Sequence, residues 1–295
     1  MRYCTFQLGR KTCAGIVLGD HVFNLAQACF RTFRRPFVFR DLGEFLAQGA
    51  QERIGEIDFP SLKSDRTVAT PLRSVILRAP VLRPPKIVCV GLNYLGHARE
   101  RKVEPPKEPL LFPKAPTAVI GPDETIEIPK GISEKVDPEV ELAVVIGRPA
   151  FRLRREEAWS AVFGFTILND VTARDVQRSD GQWFRGKSFR TFAPLGPHLV
   201  TVEEVKVGGA EIKLSVNGEV RQIASTSELI FDVPRLLEYA SDCFPLEAGD
   251  VLSTGTPAGV GAERNPPVFL RPGDVVEAAV AGIGVLRNPV GLRSG

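Results

Sequence analysis

Asp137-Pro138-Glu139-Val140-Glu141-Leu142-Ala143-Val144-Val145-Ile146-Gly147 is the stretch on which the fold turns. Its apolar, β-branched run, bounded by a proline and a glycine, predicts a buried strand over 140–147. Side chains at i and i+2 of a strand share a face, so Glu139 and Glu141 point the same way where the apolar run begins. Two carboxylates entering a core together require a cation, a bound metal or protonation of one of them. A strand end reaching solvent is the plainer account.

Outward from this strand, 24 prolines and 27 glycines punctuate short apolar runs, which predicts many strands joined by turns. The fold class is α+β and β-rich. Further strands are expected at 86–91, 163–170, 198–201, 211–217, 251–254 and 275–280, with helices near 154–162, 172–178 and 233–243. Residues 1–75 read as a small N-terminal domain with a strand in YCTFQL, a turn at Gly9, a second strand around GIVLGD and helical segments near 40–54. Residues 76–85, ending in Ala79-Pro80-Val81-Leu82-Arg83-Pro84-Pro85, read as a stiff connector, because clustered prolines fix φ and withdraw donors. The larger domain is expected over 86–295.

The net charge of +3 and the 25% of charged residues exclude a polybasic nucleic-acid module and an acidic tail. No apolar run approaches the roughly 20 residues needed to cross a bilayer, and MRYCTFQLGRK has no secretory apolar stretch. Neither a membrane nor a nucleic-acid partner is expected. Cysteines 4, 13, 29, 89 and 243 are odd in number and form no C-x-x-C pair, which predicts reduced thiols and a cytoplasmic protein. Only three histidines are present, so a histidine-rich zinc site is improbable.

A third acid joins the first two. Asp170 follows the apolar segment Phe163–Leu168 and Asn169, at the tip of an expected strand. It could serve only as a turn or cap residue. Three carboxylates with no histidine or cysteine beside them would make a hard-oxygen site suited to Mg²⁺, Mn²⁺ or Ca²⁺. Lys187, flanked by aromatic residues, is either a surface charge or a cation facing a developing oxyanion. His97 and Glu100 stand at i,i+3, the spacing of a carboxylate-oriented imidazole and equally of a helix-surface ion pair. Thr254–Gly261 is a glycine-rich turn that could hold a substrate carboxylate or merely close a hairpin.

Two patterns mislead. Gly181–Ser188 matches G-x-x-x-x-G-K-[ST] letter for letter, yet polar Arg178-Ser179-Asp180 precedes it and Pro194 and Pro197 follow. A phosphate loop needs a strand before and a helix after, so nucleotide binding is the remote alternative. Phe30–Arg40 interleaves aromatic and basic residues as a single-strand nucleic-acid surface would, and as arginines covering an aromatic patch would.

GLNYLGHARE, DPEVELAVVIG, LNDVTARDVQ, GKSF-x-TFAPLGP, VNGEVRQ and LEAGDVLSTGTPAGVG, in this order, resemble the fumarylacetoacetate hydrolase superfamily over about residues 86–290. The resemblance implies a mixed β-roll catalytic domain, a homodimer, and one divalent metal, Mg²⁺ or else Mn²⁺ or Ca²⁺, on Glu139, Glu141 and Asp170. It implies His97 and Glu100 as a water-activating dyad on a lid segment and Lys187 beside the reacting carbonyl. It also implies Arg174 and Gln177 as site-lining residues and Thr256 as a carboxylate holder. The activity so implied is hydrolytic C–C cleavage of a 2,4-dioxo acid such as an acylpyruvate or fumarylpyruvate. Isomerisation or decarboxylation of 2-oxo or 2-hydroxydienoate acids, or ureidoglycolate cleavage, remains open in the same site. Pro138, Gly96 and Arg190 depart from the usual pattern, where Tyr, Asp and Asp are common, and Arg190 bears on substrate charge.

Overall fold

The computed structural model describes residues 1–292. The chain opens with β1 (Arg2–Leu8), β2 (Lys11–Leu18) and β3 (His21–Asn24), then α1 (Leu25–Phe33), α2 (Leu42–Ala47), β4 (Ala69–Pro71) and β5 (Ile76–Arg78). Next come β6 (Ile87–Gly91), α3 (Leu95–Glu100), β7 (Leu110–Lys114), β8 (Val119–Ile120), β9 (Ile126–Ile128), β10 (Val136–Asp137) and β11 (Val140–Ile146). After β12 (Val162–Asn169) and β13 (Thr172–Ala173) stand α4 (Arg174–Asp180), α5 (Trp183–Lys187) and β14 (Ala193–Thr201). The remainder forms β15 (Glu211–Val216), β16 (Glu219–Ser225), α6 (Val233–Cys243), β17 (Val251–Ser253), β18 (Val275–Val280) and β19 (Gly284–Leu292).

A mixed sheet runs β4-β3-β2-β1-β14-β12-β11-β17-β6-β7, with β5 on β1 and β8 on β14; a five-stranded sheet runs β16-β15-β18-β19-β9. The α+β, β-rich class is the observed one. β11 lies inside the large sheet between β12 and β17, so both its faces are covered and its sequence is continuously apolar. Val140, Leu142, Val144 and Ile146 enter a core shared with Ile212, Leu214 and Val276 of the second sheet and with Leu236 and Leu237 of α6. Ala143 and Val145 point the other way, into a core with Tyr3, Phe39 and Phe45. Each such fully buried aliphatic side chain contributes about 1.5–3 kcal/mol.

The N-terminal strands do not form a sheet of their own, because β1 pairs antiparallel with β14. Within 76–85, β5 pairs with β1, and Pro80 O accepts from Thr5 Oγ1 and Leu42 N, so the segment is held by hydrogen bonds as well as by its prolines. The aromatic residues of 30–40 stack inward: Phe37 on Phe39, Phe39 on buried Phe45, with Arg53 3.8 Å over the Phe33 ring. They cover a core and present no open row of rings.

Two expectations shift. Arg155–Ala161 is a 3₁₀ helix; its buried residues Ala158 and Ala161 stand at the i,i+3 spacing that eclipses on three residues per turn. β14 starts at Ala193, not near 198, and its register against β12 slips between Phe165 and Ile167, opposite Pro197, where a missing N–H is tolerated.

Candidate active site

Glu139 and Glu141 project from the start of β11, and Asp170 from the end of its neighbour β12. Asn169 Oδ1 accepts from Glu139 N at 3.0 Å, and Asp170 N donates to Glu139 O at 2.8 Å, so the two strand ends are clamped side by side. One carboxylate oxygen from each of Glu139, Glu141 and Asp170 lies within 4.8 Å of the others, and all three side chains are buried.

Three cations surround them. Lys187, at the end of α5, donates to Asp170 Oδ2 at 2.5 Å and Glu139 Oε2 at 2.7 Å. Lys114, at the end of β7, donates to Asp170 Oδ1 at 2.6 Å and Val171 O at 3.2 Å. Arg174 donates to Asp137 Oδ2 at 2.9 Å and Glu139 Oε1 at 2.5 Å, and reaches Gln177 Oε1 at 3.3 Å. Burial pushes the Glu139 carboxyl up, but Arg174 and Lys187 outweigh it and hold that group well below the usual range. Glu141 shifts the other way: burial, then Asp170 and Glu139, raise it, although Ser253 Oγ and Gly255 N donate to its Oε2. A cluster whose third carboxyl is pushed up by burial and by its two neighbours, with oxygen donors only, fits a hard divalent cation.

His97 and Glu100 lie on α3. His97 Nδ1 is 3.0 Å from Glu100 Oε2, and Glu100 Oε1 accepts from Gly259 N at 2.9 Å. Gly259 is needed there: φ is +107° and a Cβ would stand 2.0 Å from Arg221 O. With Nδ1–H donating to Glu100, the lone pair is left on Nε2. His97, Glu139, Glu141, Asp170, Arg174 and Lys187 line one pocket, together with Gln177 and Thr256.

Every residue singled out in the sequence for this chemistry is therefore at the pocket or, for Glu100, hydrogen-bonded to a residue that lines it. Thr256 has its hydroxyl engaged, donating to Val140 O at 3.0 Å and accepting from Gln222 Nε2 at 2.8 Å. The Gly181–Ser188 stretch has α4 and not a strand before it and is itself mostly α5, at whose end Lys187 points at the carboxylates. Arg190 is 61% exposed, pairs with Glu127 and does not line the pocket. Gly96 has room for a larger residue, since a Cβ would meet only Ala258 at 3.6 Å.

Sequence reasoning missed Lys114, Asp137 and Gln222. Asp137 accepts from Arg174 and from the N–H groups of Gly261 and Ala262, tying the glycine-rich turn to the site. Its position two residues before Glu139 was the available signal. Lys114 gave none beyond being a lysine at the end of an apolar run.

Residues 86–291 match the fumarylacetoacetate (FAA) hydrolase C-terminal domain, and the chain belongs to that enzyme family. Oxaloacetate tautomerase FAHD2A, mitochondrial, of Bos taurus is 43% identical over 86% of this chain and 81% of its own length. Oxaloacetate tautomerase YisK of Bacillus subtilis is 36% identical over 99% of this chain and 100% of its own. The solved fumarylacetoacetate hydrolase of Exiguobacterium antarcticum superposes with a TM-score of 0.86 at 36% identity, covering 99% of this chain and all of that one. No helix among the described residues is long and apolar enough to cross a membrane.

Proposed function

We propose that the protein is a divalent-metal-dependent keto–enol tautomerase of a 2-oxo acid, with oxaloacetate as the first substrate to test. The observation that carries this reading is the single pocket holding the Glu139, Glu141 and Asp170 carboxylates together with the Glu100-oriented imidazole of His97. The printed names of the two tautomerase relatives support the choice of substrate.

Glu139, Glu141 and Asp170 would hold the ion, for which Mg²⁺ is our first choice. A divalent cation held there would supply the positive charge that makes the C–H beside a 2-oxo group more acidic. His97 Nε2 takes the proton from that carbon as the C–H electron pair moves toward the carbonyl oxygen, and the imidazolium then gives a proton back to that oxygen, which completes the enol and restores the neutral imidazole. Glu100 stabilises the imidazolium while it carries the proton. Lys187, held cationic by Asp170 and Glu139, is no base; its ammonium has one N–H left for a developing oxyanion. Arg174 and Gln177 shape the wall, and Thr256 supports it through Val140. We read the working assembly as a cytoplasmic homodimer.

A second reading, hydrolytic C–C cleavage of a 2,4-dioxo acid, is favoured by the same dyad, since a carboxylate-oriented imidazole also activates water, and by the name of the Exiguobacterium structure. The test is to follow oxaloacetate enol–keto interconversion and acylpyruvate cleavage by purified protein with Mg²⁺. Acceleration of interconversion that falls by ~10²–10⁴-fold in His97→Asn is the expected result. Cleavage without acceleration of interconversion would replace the tautomerase by the hydrolase.

A further inference from the structure

We propose that Arg101 and Arg178, at the mouth of the pocket, form the subsite for the second carboxylate of a 2-oxo dicarboxylic acid. The proposal deepens the tautomerase reading and rests on it for placing the first carboxylate at the carboxylate-held cation.

The two helices that flank the pocket repeat one pattern. On α3 and its cap, His97 is followed four residues later by Arg101; on α4, Arg174 is followed four residues later by Arg178. Residues at i and i+4 lie on one helix face, so each helix sets an inner group beneath an outer arginine. Arg101 lines the inner pocket beside the three carboxylates and also the outer vestibule, where Arg178, Gln177 and Glu263 meet it.

The inner cations are each paired with carboxylates of the site. Arg174 serves Asp137, Glu139 and Gln177; Lys187 serves Glu139 and Asp170; Lys114 serves Asp170 and Val171 O. The Thr256 hydroxyl hydrogen goes to Val140 O. A second substrate carboxylate therefore meets no unengaged guanidinium until it reaches the mouth. There Glu263 Oε1 lies 3.8 Å from Arg101 Nε and 3.8 Å from Arg178 Nη2. Both separations exceed hydrogen-bond length, so neither fork is engaged by Glu263. Two guanidiniums sharing one distant carboxylate carry a net positive charge and can close bidentate, charge-assisted hydrogen bonds on an incoming carboxylate. A monocarboxylic 2-oxo acid has no group to place there.

Malate and lactate separate the contributions, because each is a 2-hydroxy acid without a carbonyl to enolise and only malate has the distal carboxylate. Calorimetric titration in Mg²⁺ should find malate bound at least tenfold more tightly than lactate. The double variant Arg101→Met, Arg178→Met should lose at least tenfold in malate affinity and less than twofold in lactate affinity. Glu263→Gln, which removes the competing carboxylate, should tighten malate. Equal weakening of both ligands, no change in either, or no preference for malate in the unaltered protein would overturn the subsite. Failure to accelerate oxaloacetate tautomerisation would instead remove the tautomerase reading, and it is read separately from the malate-to-lactate ratio.

Discussion

Lys114 Nζ donates to Asp170 Oδ1 at 2.6 Å, and both side chains are fully buried. The lysine arrives on β7, the outermost strand of its side of the sheet, and the aspartate directly after β12, with three strands between in the order β7-β6-β17-β11-β12. Lys187 approaches the other oxygen of the same carboxylate, so Asp170 is gripped from two sides.

Removing one member of a buried ion pair strands the other charge, which typically costs about 3–5 kcal/mol. Lys114→Met should accordingly lower the urea unfolding free energy by about 3 kcal/mol, since Lys187 still neutralises part of the charge. A loss below about 1 kcal/mol would mean that Lys187 alone suffices.

Glu141 crowds Asp170 and Glu139, and a divalent cation would relieve that repulsion. Glu141→Gln keeps the shape and removes one charge. Titration calorimetry should show Mg²⁺ affinity falling at least tenfold, while the metal-free protein melts higher than the unaltered one. Unchanged Mg²⁺ binding would remove Glu141 from the ligand set.

The phosphate-loop match should be silent. Lys187 is 3% exposed and held by two carboxylates, so ATP at millimolar concentration should neither bind nor raise the melting temperature. A saturable ATP-dependent shift that disappears in Lys187→Ala would reverse this.

His198, on β14, carries a buried Nδ1 without a hydrogen-bond partner, and burial, then the nearby Arg2, lower its pKa to about 4. Its folded value lies below the unfolded one, near 6.5. Stability is therefore fully present above about pH 6.5 and is lost as the unfolded chain takes up a proton between about 6.5 and 4. The loss should reach roughly 2 kcal/mol at pH 5, at about 1.4 kcal/mol per pKa unit. Urea unfolding at pH 7.5 and pH 5 should show a smaller difference for His198→Leu; an identical difference would assign the acid sensitivity elsewhere.

The acids of the site were legible because strand geometry is local. An i,i+2 pair at the head of an apolar run, and an aspartate at the tip of the next one, could be placed with no knowledge of the partner strands. The His97–Glu100 pair was readable for the same reason. What escaped depends on pairing between distant strands: Lys114 meets Asp170 only because β6 lies between β17 and β7, and Gln222 reaches Val140 and Thr256 from the other sheet. The helix expected near 154–162 tightened to 3₁₀ because burial of Ala158 and Ala161 outweighed propensity. The N-terminal strands looked autonomous in sequence because nothing local records that β1 continues the sheet through β14.

The turn 254–262 touches the site at both ends. Gly259 N holds Glu100, and the N–H groups of Gly261 and Ala262 hold Asp137, which in turn anchors Arg174 against Glu139. The imidazole and the acids are thus indexed to a single stretch of backbone, like two instruments tuned to one reference pitch. Grafting a turn of different length from another protein would detune both together. The exposed end of α4 carries no such double duty, and a breeder of new selectivities has the freer hand there.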